Sequence, residues 1–134
     1  ATADLARPLK TRTLIGPNFL QLSGEDATMA AFFAQGGHGV ISVASNVAPK
    51  LCVELYNAWQ AADLATMAVK RDALMPLHSA LFCETSPAPV KYAASLLGFG
   101  SADVRLPLVS ASAAARTQVE GALEQCGLSL KAVS

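Results

Sequence analysis

Two adjacent carboxylates, Glu25 and Asp26, follow the small-residue turn Ser23-Gly24 and are the first candidates for acid–base chemistry. Neighbours at a helix start point in different directions, and acids there complement the helix dipole. Capping is therefore the preferred role, with contact to the polar end of a substrate as the second. Gly24, at the end of a strand, lacks the Cβ that would keep a ligand off the backbone; a plain tight turn explains it equally well. Ser45 and Asn46 hold the same place after the next strand, again as caps first and binding groups second. Gly36-Gly37-His38-Gly39 has the composition of a phosphate loop, but such loops follow a strand and open a helix. This one follows a helix and precedes a strand, so helix termination and close packing are expected, with His38 structural and remote from chemistry. Arg71 and His78 fall inside an apolar helix face. They are expected to bond to a carboxylate or to loop carbonyls between helices, with Glu54, Glu84 and the TSPAP stretch as partners, rather than to act as a catalytic couple. Lys91 in PAPVK would need a desolvating pocket to act as a Schiff-base amine, and nothing around it argues for one.

The elements that must position these groups centre on residues 19–47, FLQLSGEDATMAAFFAQGGHGVISVASNV. Residues 19–23 form a short apolar run, residues 27–35 carry Met29, Phe32 and Phe33 at helical spacing, and residues 39–43 are β-branched. Strand, helix and strand make the minimal parallel βαβ unit, in which chemistry sits where strands end and helices begin, here residues 23–26 and 44–46. Before it, residues 3–12 are expected to form a short helix with Asp4 near its start, and Gly16-Pro17-Asn18 a turn. After it, Ser45-Asn46 and Pro49 are expected to open a helix with Leu51, Leu55 and Trp59 in one stripe, ending near residues 61–62. Asp63 caps the next helix, 64–82, whose apolar arc takes in Leu64, Met67, Ala68, Leu74, Met75, Leu77, Leu81 and Phe82, with Pro76 predicting a kink. TSPAP reads as a rigid connector, residues 90–97 as a short helix stopped by Gly98, residues 100–108 as irregular, and residues 113–126 as a final helix capped by Ser112. The composition changes from βα units to helices alone near residue 62, giving a boundary between residues 1–62 and 63–134.

The 134 residues suit one ordinary domain. Ten basic and ten acidic residues cancel, which leaves no electrostatic footprint for nucleic acid or an anionic membrane. An apolar fraction of 52% with 15% charged residues fits a covered parallel sheet, or a surface that expects a partner. Cys52, Cys83 and Cys126 are too scattered for a zinc site or disulfide framework and are read as buried free thiols in a reducing cytosol. No cofactor or metal is expected. No apolar run reaches the length of a membrane span, and no signal-peptide pattern or initiator Met is present, so Ala1 is expected not to be the natural start.

The string LSGEDAT…F…QGGHGVISVASNVAP resembles the last two strand–helix units of the dihydrodipicolinate synthase family, and LMPLHSALFCETSPAPVKYA…LG and RLPL continue the likeness in register. The resemblance implies an α/β fold, the C-terminal part of an eight-stranded (β/α) barrel followed by a helical subdomain. It implies a lyase that condenses pyruvate, held as a Schiff base, with aspartate semialdehyde in lysine and diaminopimelate synthesis, in a cytoplasmic homo-oligomer. Gly24 then matches a glycine lining the pyruvate pocket, and Ile41 a residue bordering the bound pyruvate. Glu25 and Asp26 are candidates for the second substrate. The family's Schiff-base lysine precedes an acid-Ala-Thr string whose close matches Ala1-Thr2, so it is expected upstream, together with a tyrosine relay and a threonine pair. On that basis the chain alone is expected to be inactive and to need the missing half-barrel or copies of itself. Sialic acid lyases and other pyruvate aldolases share the barrel, but the GGHGVISV and LMPLH strings favour the synthase. The reading from another class is a non-enzymatic helical assembly module that binds a partner chain.

Overall fold

The computed structural model describes residues 3–128, so the Ala1-Thr2 match lies outside the described residues. Helix α1 (Arg7–Ile15) starts later than expected because Pro8 fits only a first turn and Asp4 turns the chain before it, accepting the Ala6 amide at 2.9 Å. Gly16, at φ 86°, ends it. Strand β1 (Leu22–Ser23), helix α2 (Met29–Ala34) and strand β2 (Gly39–Val40) follow, then a 3₁₀ turn (Ala44–Asn46). Helices α3 (Pro49–Gln60), α4 (Leu64–Leu81), α5 (Ala88–Leu96) and α6 (Ala113–Gln125) complete the described chain.

The strands pair in parallel, Leu22 opposite Gly39 and Ser23 opposite Val40, as a βαβ unit requires. Among the described residues the ladder is extended only by His38 N–H donating to the Gln21 carbonyl (2.9 Å) and Ile41 N–H to that of Ser23 (2.8 Å). Both strands are shorter than the apolar runs 19–23 and 39–43 for a local reason. Opposite residues 19–20 the chain is still closing α2 through Gly36, and the amides of Val43 and Ala44 turn to the Asp26 side chain instead of to a strand. Gly36 is confined by more than its φ of 84°: Arg12 donates to its carbonyl at 2.9 Å, and a Cβ there would fall 1.8 Å from the guanidinium.

One core joins the βα unit to the helices. Met29 and Phe33 of α2, Ala44 of the turn, Leu55 of α3, Leu74, Leu77 and Leu81 of α4, and Val119 and Leu123 of α6 are packed together and almost wholly buried. Phe33 also stacks on Trp59 and meets Tyr56 edge-on. The boundary expected at residue 62 falls at a tight turn in which Ala62 takes φ 56°, and this core runs across it. Asp63 caps α4 through the Thr66 amide (3.0 Å), and Ser112 caps α6 through that of Ala115 (3.2 Å), as predicted.

Other expectations are corrected. Leu64, Met75 and Phe82 of the α4 arc are exposed, because the elements packed on that helix bury only Leu74, Leu77, His78, Ala80 and Leu81. Among the described residues all three cysteines are free, but Cys83 is exposed, placed in the turn just beyond α4. Burial pushes the Cys52 and Cys126 thiols up, and Cys126 donates to the Ala73 carbonyl. Among the described residues no helix is long and apolar enough to cross a membrane.

Candidate functional site

At the carboxyl end of β1 the chain makes a hydroxyl-stapled turn: Ser23 Oγ accepts the Glu25 amide at 3.0 Å. This holds Gly24 at the surface, lining a cavity of about 530 Å³ between α1 and β1 together with Thr11, Phe19, Ser23, Thr28 and Phe32. The carboxyl end of β2 lies beside it, since the Ile41 amide donates to the carbonyl of Ser23, the residue before Gly24. Ile41 itself is 72% exposed, so its side chain is available to whatever occupies this end of the sheet. Gly24 and Ile41 are thus brought together, while Ile41, Glu25 and Asp26 do not line the cavity.

Neither acid caps α2, contrary to expectation. That helix begins at Met29 behind Thr28, which makes no side-chain cap, and neither acid lies in its first turn. Glu25 is half-buried in the turn. Asp26 is only 2% exposed and reaches across to the next loop, where its Oδ2 accepts the amides of Val43 (2.9 Å) and Ala44 (3.1 Å). A carboxylate is suited to this because two converging N–H groups form a small anion-binding concavity. Asp26 therefore shapes the loop that follows β2, a part that residue spacing did not reveal because its partners are backbone amides 17 and 18 positions away.

Ser45 and Asn46 are corrected in the same way. Helix α3 begins behind Ala48 without a side-chain cap. Ser45 Oγ instead donates to the Ser42 carbonyl (3.0 Å) and Asn46 Nδ2 to that of Val43 (3.0 Å), which winds the 3₁₀ turn tightly. His38 is at the opposite end of the sheet, where its Nδ1 accepts the Gln21 amide at 3.1 Å, a structural role as expected. Arg71 and His78 do not pair with the groups expected of them. Arg71 is exposed and bonds Asp72 at 2.8 Å, Glu54 is taken by Lys70 at 2.7 Å, and Glu84 accepts the Ser112 amide. His78 is buried at 5% exposure, with both ring nitrogens lacking a protein partner among the described residues. Burial lowers its pKa, while the negative charges of Asp26 and Glu25 pull the other way. Lys91 lies in the first turns of α5, half-exposed and far along the chain from this strand end. Among the described residues no cluster could hold a metal ion.

This geometry has close counterparts. The profile of the Dihydrodipicolinate synthetase family matches residues 1–126. The chain is 62% identical over 128 residues to the 4-hydroxy-tetrahydrodipicolinate synthase of Rhodospirillum centenum and 53% identical to that of Acidiphilium cryptum. In both cases the match takes in 96% of this chain but 44% of the relative, so the chain spans less than half their length. The crystal structure of dihydrodipicolinate synthase from Thermotoga maritima superposes with a TM-score of 0.91 at 39% identity, covering 96% of this chain and 45% of that one. The chloride-inhibited enzyme of Acinetobacter baumannii, complexed with pyruvate, gives 0.88 at 31% identity over 96% and 44% of the two chains. The two strands with their helices are accordingly the C-terminal part of a (β/α)8 barrel, and the remaining helices follow it.

Proposed function

Because the chain belongs to the dihydrodipicolinate synthetase family and corresponds to its C-terminal portion, we propose that it supplies one wall of a pyruvate-condensing lyase site. The substrates in this reading are pyruvate, held as a Schiff base, and aspartate semialdehyde, in lysine and diaminopimelate synthesis in the cytoplasm. The observation that carries it is the position of Gly24 and Ile41 at adjoining carboxyl strand ends, the edge at which (β/α)8 barrels do chemistry. Gly24 offers open backbone to pyruvate and Ile41 an apolar border. Glu25, half-buried in the same turn, is the acid placed to meet the second substrate, while Asp26 sets the shape of the loop from behind. Residues 1–62 furnish the final βα units and residues 63–134 the helical subdomain.

Among the described lysines, none lies at a strand end: Lys10 and Lys50 are exposed, Lys70 pairs with Glu54, and Lys91 is in α5. The isolated chain is therefore proposed to be inactive and to depend on a barrel half that brings the amine. Incubating the chain with pyruvate and borohydride and weighing it by mass spectrometry is expected to leave the mass unchanged. A stoichiometric adduct on any lysine of this chain would refute the assignment. Sequencing the codons upstream of Ala1 tests the wider reading. A frame that reaches back to a lysine before an acid-Ala-Thr string supports the lyase, whereas one that opens near Ala1 supports an assembly module instead.

A further inference from the structure

Among the described residues, three buried side-chain atoms meet no protein hydrogen-bond partner: Asp26 Oδ1 and both ring nitrogens of His78. The other oxygen of Asp26 is fully used by the Val43 and Ala44 amides, and Ala44 opens the 3₁₀ turn against which α4, the helix of His78, is packed. Both groups thus belong to elements that meet at the loop ending β2, and of the two charges felt at the imidazole that of Asp26 is the stronger, ahead of Glu25. On α3, Cys52 also stands in the field of Asp26. Buried carboxylate and imidazole atoms are almost always satisfied, and internal water is the usual mediator where side chains do not touch directly. A neutral imidazole has one N–H to give, and a carboxylate oxygen can only accept. A water molecule fits both, accepting from His78 and donating to Asp26 Oδ1.

We propose that one buried water joins His78 to Asp26, and that this link makes His78 a positioning residue for the carboxyl end of β2. The chain of support runs from α4, through the water, to Asp26 and the two amides, and so to the segment carrying Ile41. It rests on the functional reading above only in taking that segment to face substrate; the link itself is independent of any activity. It gives the helices a role beyond covering the sheet, since a side chain of α4 helps to fix the loop.

The test is hydrogen exchange on the 134-residue chain. In His78→Leu the amides of Val43 and Ala44 are expected to exchange at least about tenfold faster, while those of Val119 and Leu123 in α6 keep their rates. In His78→Gln, which retains a donor, most of that protection is expected to return. Unchanged exchange at Val43 and Ala44 in His78→Leu, or equal acceleration throughout the chain, overturns the link. Should that variant not fold, the ring ¹⁵N shifts of His78 in the unmodified chain decide. One hydrogen-bonded N–H with a cross-peak to a long-lived water supports the link, and two ring nitrogens free of hydrogen bonds overturn it. None of these readouts requires catalysis, so the link can fail while the lyase reading stands, and the reverse.

Discussion

Replacing Asp26 with alanine tests how firmly the β2 loop is anchored. The side chain is 2% exposed, and its Oδ2 takes two backbone donors that no other group in the loop reaches. Removing it strands the Ala44 amide in a fully buried position, which costs on the order of 1–3 kcal/mol. The Val43 amide is only partly buried and can turn to water, so its loss is closer to that of an ordinary hydrogen bond, about 1 kcal/mol. Together Asp26→Ala should lower the unfolding free energy by about 2–4 kcal/mol, a large share of what a domain of this size possesses. Asp26→Asn keeps one acceptor oxygen and should recover more than half of that loss. Urea unfolding followed by circular dichroism at pH 7 measures both, provided the two variants keep the slope of the parent chain. An alanine variant within about 0.5 kcal/mol of the parent, the scatter of a neutral surface change, would show that the loop is held by something else.

The neighbouring groups yield further expectations. In the complete enzyme Gly24→Val should impair pyruvate use sharply while the fold persists, since Gly24 is exposed and outside the positive-φ positions; unchanged kinetics would remove it from the site. His78 titrates below 6.5 in the folded chain because burial disfavours its charged form, so below that pH the unfolded chain binds the extra proton. Stability should accordingly be complete above pH 6.5 and fall as the pH drops through the folded value, and the His78→Gln chain should lack that part of the slope in a urea series from pH 7 to pH 5. Phe19, Leu20, Leu22 and Ile41 are 56%, 72%, 55% and 72% exposed in or beside two strands whose outer edges are unpaired among the described residues, so the purified chain should associate with itself or with a barrel half. Light scattering that finds a compact monomer, unfolding cooperatively, would contradict this.

The legible parts of the sequence were those governed by short-range rules. Pro49 after a loop, Asp63 three residues before the Thr66 amide, and Ser112 before that of Ala115 each announce a helix start, because the bonding partner is at a fixed offset. The short apolar runs and the break at Gly36-Gly37 likewise mark the βαβ unit. What was illegible depends on partners far along the chain. A carboxylate next to a helix start reads as a cap, yet Asp26 spends its acceptor on a different loop. Ser45 and Asn46 carry good capping side chains, but a 3₁₀ turn intervenes and their hydrogen bonds run backwards to residues 42 and 43. His78 was correctly placed inside an apolar face, but Arg71 was wrongly grouped with it: the two positions sit far enough apart on α4 for one to be buried and the other wet.

The clasp on the Val43 and Ala44 amides also bears on how this surface can change. Its donors are main-chain N–H groups, which every residue except proline possesses, so the shape of the loop is insulated from the identity of the side chain displayed at position 43. A lineage, or an engineer, can vary what is presented beside Ile41 without rebuilding the scaffold under it, and proline at 43 or 44 is the exchange that the clasp forbids outright. Surface chemistry and loop architecture are to that extent separate traits here, written in different atoms of the same few residues.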